Sequence, residues 1–93
     1  MNNKKIKITR KKLDSLDNKL LDLIKKRTLL VNQILKQKKY KNQIIDKARI
    51  KVILKKIRSK SIKKKIDLKV SNTIWKSMIR SFIDYEYRNF KNK

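Results

Sequence analysis

The chain has 93 residues, of which 30 are Lys or Arg and 7 are Asp or Glu, so its formal net charge is +23. It contains no Cys, His, Gly or Pro. These absences exclude disulfides, thiolate and imidazole metal sites, catalysis by Cys or His, and Gly-rich phosphate-binding loops. We therefore predict one all-α domain without metal or cofactor, and a chain this short gains core by oligomerising.

The charge itself allows two interpretations. Clustered cations can release counterions from phosphates, which is typical of a nucleic-acid-binding protein. The alternative is that an A+T-rich base composition has filled tolerant surface positions with Lys. Lys greatly outnumbers Arg, the cations are spread along the whole chain, and Ile and Asn are also abundant. These observations favour the second interpretation, and they make nucleic acid an unlikely partner.

The chain carries no membrane-spanning or leader pattern. No run of about 18 apolar residues is present, and the first residues, MNNKKIKITRKK, lack an apolar segment. We expect a cytoplasmic protein without a membrane partner, with loose basic tails.

The first predicted helix covers about residues 8–40, because no helix breaker interrupts this segment. At 1.5 Å per residue it is about 45–50 Å long, which is typical of coiled-coil-like association. Its apolar positions follow 3-4 spacing, with a cation at one of them: Leu13, Leu16, Leu20, Leu23, Arg27, Leu30 and Ile34. A second stripe lies beside the first: Leu21, Ile24, Val31 and Leu35.

Two further helices are predicted, over about residues 46–63 and 67–90. Asp46 and Asp67 are suited to cap their first turns. The polar segment 58–65 predicts a worn helix end or a turn. The apolar set of the second helix is Ile50, Ile53, Leu54 and Ile57. On the third helix one face carries Trp75, Ile79, Phe82 and Glu86.

Arg27 and Glu86 thus fall on predicted buried faces. They either form buried ion pairs, which seldom stabilise a protein relative to packed apolar side chains, or they belong to a ligand site. Lys38 follows Arg27 by about three turns and points in nearly the same direction, although it can also be a solvated lysine. Arg10 precedes Arg27 by about 25 Å of helix. If both serve one small-molecule pocket, Arg10 must come from a second chain.

These residues resemble the all-α chorismate mutases. The segment from Arg10 to Arg27, RKKLDSLDNKLLDLIKKR, is similar to the opening of that family: an Arg, then L-D-x-x-L-L-x-L-I/L, then a second Arg. The resemblance covers about residues 8–90. It continues through Lys38, Ile45-Asp46-Lys-Ala-Arg49, Ile74-Trp75 and Tyr85-Glu86-Tyr87.

The resemblance implies an intertwined homodimer of three-helix chains, in which each active site takes an arginine from the partner. It also implies the Claisen rearrangement of chorismate to prephenate, the branch step toward Phe and Tyr. That reaction needs no nucleophile or cofactor; the enzyme holds a dianion in a chair-like shape and stabilises charge on the breaking ether oxygen.

By the same resemblance, Arg27 and a second chain's Arg10 clamp the two carboxylates, and Lys38 donates to the ether oxygen. Arg49 supports the carboxylate network. Asp46 orients Lys38 or contacts the ring hydroxyl, if it is more than a helix cap.

Glu86 stands where the family carries Gln or Glu near the ether oxygen. An ionised carboxylate there repels the developing negative charge. We therefore expect that Glu86 acts in its protonated form and that turnover falls as the pH rises.

Two positions depart from the family pattern. After Arg49 many members carry a Glu that binds the ring hydroxyl, whereas this chain has Ile50. Four residues before Glu86 many carry a Ser, whereas this chain has Phe82. Both residues can simply extend the core. They also resemble isochorismate-pyruvate lyases, which share the fold and the cationic clamp. Loss of one hydrogen bond costs about 0.5–1.5 kcal/mol, which a mutase can tolerate.

Overall fold

A computed structural model describes residues 3–91. These residues form three α-helices, which we name α1 (Asn3–Gln37), α2 (Lys47–Lys63) and α3 (Leu68–Asn89). A single 3-10 turn, Lys41–Gln43, lies between α1 and α2. The described residues contain no strand, and the prediction of an all-α fold with three helices and a long first helix is confirmed.

Helix α1 begins at Asn3 and ends at Gln37, so it starts about one turn earlier and ends slightly earlier than its apolar pattern indicates. The early start follows from the sequence, because the first two turns include Lys, Ile and Thr and contain no helix breaker. Its 35 residues make a rod of about 52 Å.

The contacts divide the chain into residues 1–31 and 32–93. In the described part of the first unit, residues 3–31, α1 leaves its apolar side chains exposed. The predicted stripe is not buried within a single chain: Leu13, Leu16, Leu20, Leu23 and Leu30 are each 53–58% exposed.

The second unit, described for residues 32–91, contains the packed part of the protein. Helices α2 and α3 pack against each other. Near the turn between them, Ser61 and Ser71 are buried and their hydroxyl oxygens lie 2.8 Å apart. Small side chains at this point allow the helices to approach closely. The buried apolar residues are Leu35, at the end of α1, and Ile44, in the loop that follows.

Side-chain caps set the beginnings of α2 and α3. The Asp46 carboxylate accepts a hydrogen bond from the Arg49 backbone N–H at 3.0 Å, and Asp67 accepts one from Val70 at 3.0 Å. Each acidic side chain therefore satisfies one of the unpaired N–H groups of a first turn, as the sequence predicts.

The end of α2 is set by backbone geometry. Segment 58–65 is polar, but the helix continues through it to Lys63, because lysine is a good helix former and no breaker is present. Lys65 then adopts a left-handed conformation, with φ 58°. The Ile66 N–H donates to the Ser61 carbonyl and the Lys65 N–H to the Ile62 carbonyl, which is the Schellman pattern of a helix end.

None of the helices within residues 3–91 is long and apolar enough to cross a membrane.

Candidate active site

An ion pair within the second unit joins Lys38 to Glu86. The Lys38 Nζ donates to the Glu86 Oε1 at 3.0 Å, and the two residues are 48 positions apart in the sequence. The side chains are 17% and 9% exposed, respectively. A largely desolvated ion pair costs hydration energy that its attraction only partly returns, so it is weak evidence for a stabilising role.

A short loop places Lys38 just beyond the end of α1. The Lys38 N–H donates to the Leu35 carbonyl at 3.1 Å, which tightens the last turn of the helix. The Gln43 side-chain carbonyl then accepts hydrogen bonds from the backbone N–H groups of Lys39 and Tyr40, at 2.7 and 3.0 Å. Gln43 therefore closes the loop that follows Lys38, although nothing in its local sequence pattern indicated this role.

Glu86 lies within the regular part of helix α3. The helical spacing places Glu86 on the same face as Trp75, Ile79 and Phe82, and these three side chains are half-buried. Glu86 itself is only 7% exposed. The sequence-based placement of this carboxylate on a buried face therefore agrees with the structure.

Three predicted site residues lie at the start of α2. Asp46 and Arg49 are exposed, and Ile50 is half-buried. The Arg49 backbone N–H donates to one Asp46 carboxylate oxygen, so Asp46 does cap the helix. One oxygen remains for another partner, and the cap is thus compatible with a second role.

An open cavity of about 530 Å³ lies beside this loop. Its lining contains Lys38, Gln43, Ile45, Asp46 and Lys47. The structure therefore brings Lys38 and Asp46 to one cavity, with Glu86 bonded to Lys38. Arg49, Ile50 and Phe82 do not line it.

Arg10 and Arg27 belong to the first unit. Arg10 is exposed and Arg27 is half-buried. Both lie on the continuous helix α1, where 17 residues correspond to about 25 Å. Within one chain, these two guanidinium groups cannot bind the same small molecule.

A second contact between α1 and α3 was not indicated by the sequence pattern. The Tyr85 hydroxyl donates to the Asn32 side-chain carbonyl at 2.9 Å, in a partly buried position. The Tyr85 ring also packs edge-on against Phe82, with ring centres 6.3 Å apart and planes at 73°. Tyr85 and Asn32 are both neutral and lie 53 positions apart, so helical periodicity could not reveal their hydrogen bond.

The arrangement provides a cation and a carboxylate in a sheltered position beside a cavity. An ammonium held in this way can donate to an oxygen atom that gains negative charge, and a protonated carboxyl can do the same. The arrangement is therefore suited to an anionic small molecule that accepts hydrogen bonds.

Comparison with known proteins identifies the family. The sequence profile of chorismate mutase type II matches residues 9–87, nearly the whole chain. The chain therefore belongs to the chorismate mutase type II family. No curated protein and no solved structure matches the chain closely enough to count as a relative.

Proposed function

We propose that the protein is a chorismate mutase that converts chorismate to prephenate, the branch step toward Phe and Tyr, without a cofactor. The observation that carries the proposal is the Lys38–Glu86 pair at 3.0 Å, held beside the cavity that Asp46 also lines. The rearrangement is unimolecular, so the protein has to position the dianion and stabilise charge on the ether oxygen. Membership of the chorismate mutase type II family supports this assignment.

The proposed roles follow from the chemistry of each side chain. Lys38 donates to the ether oxygen as the carbon–oxygen bond breaks. Arg27 binds one carboxylate of the substrate and Arg10 of a second copy binds the other, because forked guanidinium donors match carboxylates. Arg49 supports the carboxylate network. Asp46 contacts the ring hydroxyl or orients Lys38.

Glu86 has to act in its neutral form. The Glu86 carboxylate accepts a hydrogen bond from Lys38. When Lys38 turns to the ether oxygen, an ionised Glu86 opposes the new negative charge, whereas a protonated Glu86 donates a second hydrogen bond.

We propose that the working unit is a homodimer. The exposed stripe of α1 gives each chain an apolar surface of the kind that marks an association site. A second copy can cover this surface by two-fold symmetry, in which the same patch serves both chains. The dimer also supplies Arg10, which cannot reach a shared ligand within one chain.

The direct test is incubation of the purified protein with chorismate, with the products separated by chromatography. We expect saturable prephenate formation without added metal or cofactor. The substitution Lys38→Met should reduce kcat by about 10²–10³-fold, the usual cost of losing one donor to a developing negative charge. The matched control is Lys39→Met, which changes the neighbouring exposed lysine and should leave kcat unchanged. Absence of prephenate with folded wild-type protein contradicts the proposal.

A second candidate function, isochorismate-pyruvate lyase, is favoured by Ile50 and Phe82. Both side chains are half-buried, and both replace polar residues that many mutases use. Moving the ring hydroxyl removes the need for a hydrogen-bonding residue at position 50. The same assay with isochorismate separates the two functions, because a lyase releases pyruvate and a mutase does not.

A further inference from the structure

We propose that Tyr85 and Asn32 are positioning residues that determine which lysine meets Glu86. Their hydrogen bond holds the last turns of α1 against α3, next to the Lys38–Glu86 pair. The inference rests on the proposed function for its kinetic consequence, but its structural part can be tested without any substrate.

The need for such a contact follows from the position of Lys38. Glu86 lies inside the regular helix α3, whereas Lys38 lies beyond Gln37, the last residue of α1. A flexible four-carbon side chain on a loop does not select its own partner. The loop that follows α1 offers other lysines to the only Glu of the protein, since Lys39 and Lys41 are close in sequence.

Tyr85 and Asn32 meet this need because they fix the register between the two helices. Asn32 precedes Lys38 by six residues, about 9 Å along the helix, and Tyr85 directly precedes Glu86. A hydrogen bond of 2.9 Å between them restricts both rotation and sliding of the end of α1 relative to α3. The bond joins two neutral groups, so salt and the many surrounding cations screen it little.

The same tyrosine also orients Phe82. The edge-on contact at 6.3 Å couples the Phe82 ring to the Tyr85 ring, and the Tyr85 hydroxyl is anchored on Asn32. Tyr85 is thus connected both to the pair that carries the proposed chemistry and to one of the residues that bear on substrate choice.

The test removes the hydroxyl alone. In Tyr85→Phe the ring and its contact with Phe82 are retained, while the hydrogen bond to Asn32 is lost. We expect kcat to fall about fivefold, which is about 1 kcal/mol of barrier, with KM changed less than twofold. The matched control is Tyr87→Phe, because Tyr87 is exposed on the same helix, and its kcat should equal that of wild type.

A double variant shows whether the two residues act together. Tyr85→Phe combined with Asn32→Ala should have the same kcat as Tyr85→Phe alone, since either change removes the same bond. Assays run well below the melting temperature of each variant separate positioning from stability. Additive losses in the double variant, or a loss that follows the melting temperature, overturn the proposal.

A second readout requires no activity. Glu86 is the only Glu, so ¹³C labelling of Glu gives one side-chain carboxyl signal in NMR spectra. In Tyr85→Phe this signal should move from its wild-type position toward its position in Lys38→Met, where the ion pair is absent, and in Tyr87→Phe it should stay in place. An unchanged signal and an unchanged kcat in Tyr85→Phe refute the proposal. If wild type makes no prephenate, the proposed function fails, and the carboxyl signal still decides the positioning role.

Discussion

The exposure of apolar side chains differs between residues 3–31 and residues 32–91. In the first region eight Leu and Ile side chains between positions 13 and 30 are 45–62% exposed, and none of the described apolar residues is buried. In the second region Leu35 and Ile44 are buried, and the facing sides of α2 and α3 are half-buried. The second region forms contacts within the chain, whereas the first is a rod whose apolar face has no cover from its own chain.

The difference indicates where association and chemistry are located. A row of leucines at 3-4 spacing is costly to leave in water, at about 1.5–3 kcal/mol for each side chain that could be fully buried. The first region therefore offers an apolar surface that a partner can cover, and the second holds the Lys38–Glu86 pair within one chain. Variants in the two regions should differ in one respect: only those in the first should make activity depend on protein concentration.

Among changes in the first region, the largest effect is expected from a charge on the exposed stripe. Leu20→Asp should convert the proposed dimer to monomers at micromolar concentration and reduce prephenate formation more than tenfold, because each monomer would lack Arg10 of a second copy. Light scattering after gel filtration measures the mass, and a dilution series of activity measures the dependence on concentration.

The matched control for this change is Asn18→Asp, which adds the same charge about 160° around the helix from Leu20. It should remain dimeric and active. The comparison between the two regions breaks down if Leu20→Asp has the same activity and the same molecular mass in solution as Asn18→Asp.

A smaller effect is expected from Glu86→Gln, in the second region. On the proposed role of Glu86 as a neutral hydrogen-bond donor, the kcat of wild type should fall with rising pH. Gln keeps a donor at every pH, so the variant should show a flat profile, and at high pH it should exceed wild type. Profiles measured between pH 5 and 9 at constant ionic strength provide the check, and parallel curves would remove Glu86 from the mechanism.

Much of the fold followed from the sequence. The 3-4 spacing of apolar residues in α1 and the acidic residues before α2 and α3 are local signals, and helices depend mainly on local interactions. The early start of α1 and the helical conformation of 58–63 were harder to predict. Polar, Lys-rich ends carry no periodicity, and there helix formation depends on propensity and on the left-handed turn at Lys65.

The candidate site was predictable only in part. A cation and a carboxylate stand out on an apolar face, so Arg27 and Glu86 could be selected from spacing alone. Lys38 needed the resemblance to a family, because in a chain with 30 cations one more lysine carries no signal. Gln43, Asn32 and Tyr85 were missed, since Gln43 acts in a loop without periodicity and Asn32 and Tyr85 meet across 53 positions of sequence.

The smallest predicted effect concerns the turn after α2. Lys65 has φ 58°, a conformation that costs a residue with a Cβ atom about 1–2 kcal/mol and glycine almost nothing. Lys65→Gly should therefore raise the free energy of unfolding by about 0.5–1 kcal/mol, after the entropy that glycine gains in the unfolded chain. Urea denaturation measures this free energy of unfolding. The control is Lys64→Gly, at the adjacent position with φ −87°, which should destabilise the protein. Equal changes in both variants argue against strain at Lys65.

The most direct test of the shared site is a mixture of two inactive variants, Arg10→Ala and Lys38→Met. In a heterodimer, the site that uses Lys38 of the first variant receives the intact Arg10 of the second, and the other site lacks both. Random exchange makes about half of the dimers mixed, with one intact site each, so the mixture should recover about a quarter of wild-type activity. Activity no higher than the average of the two separate variants, after chain exchange has been verified by mass spectrometry, contradicts a site built from two chains.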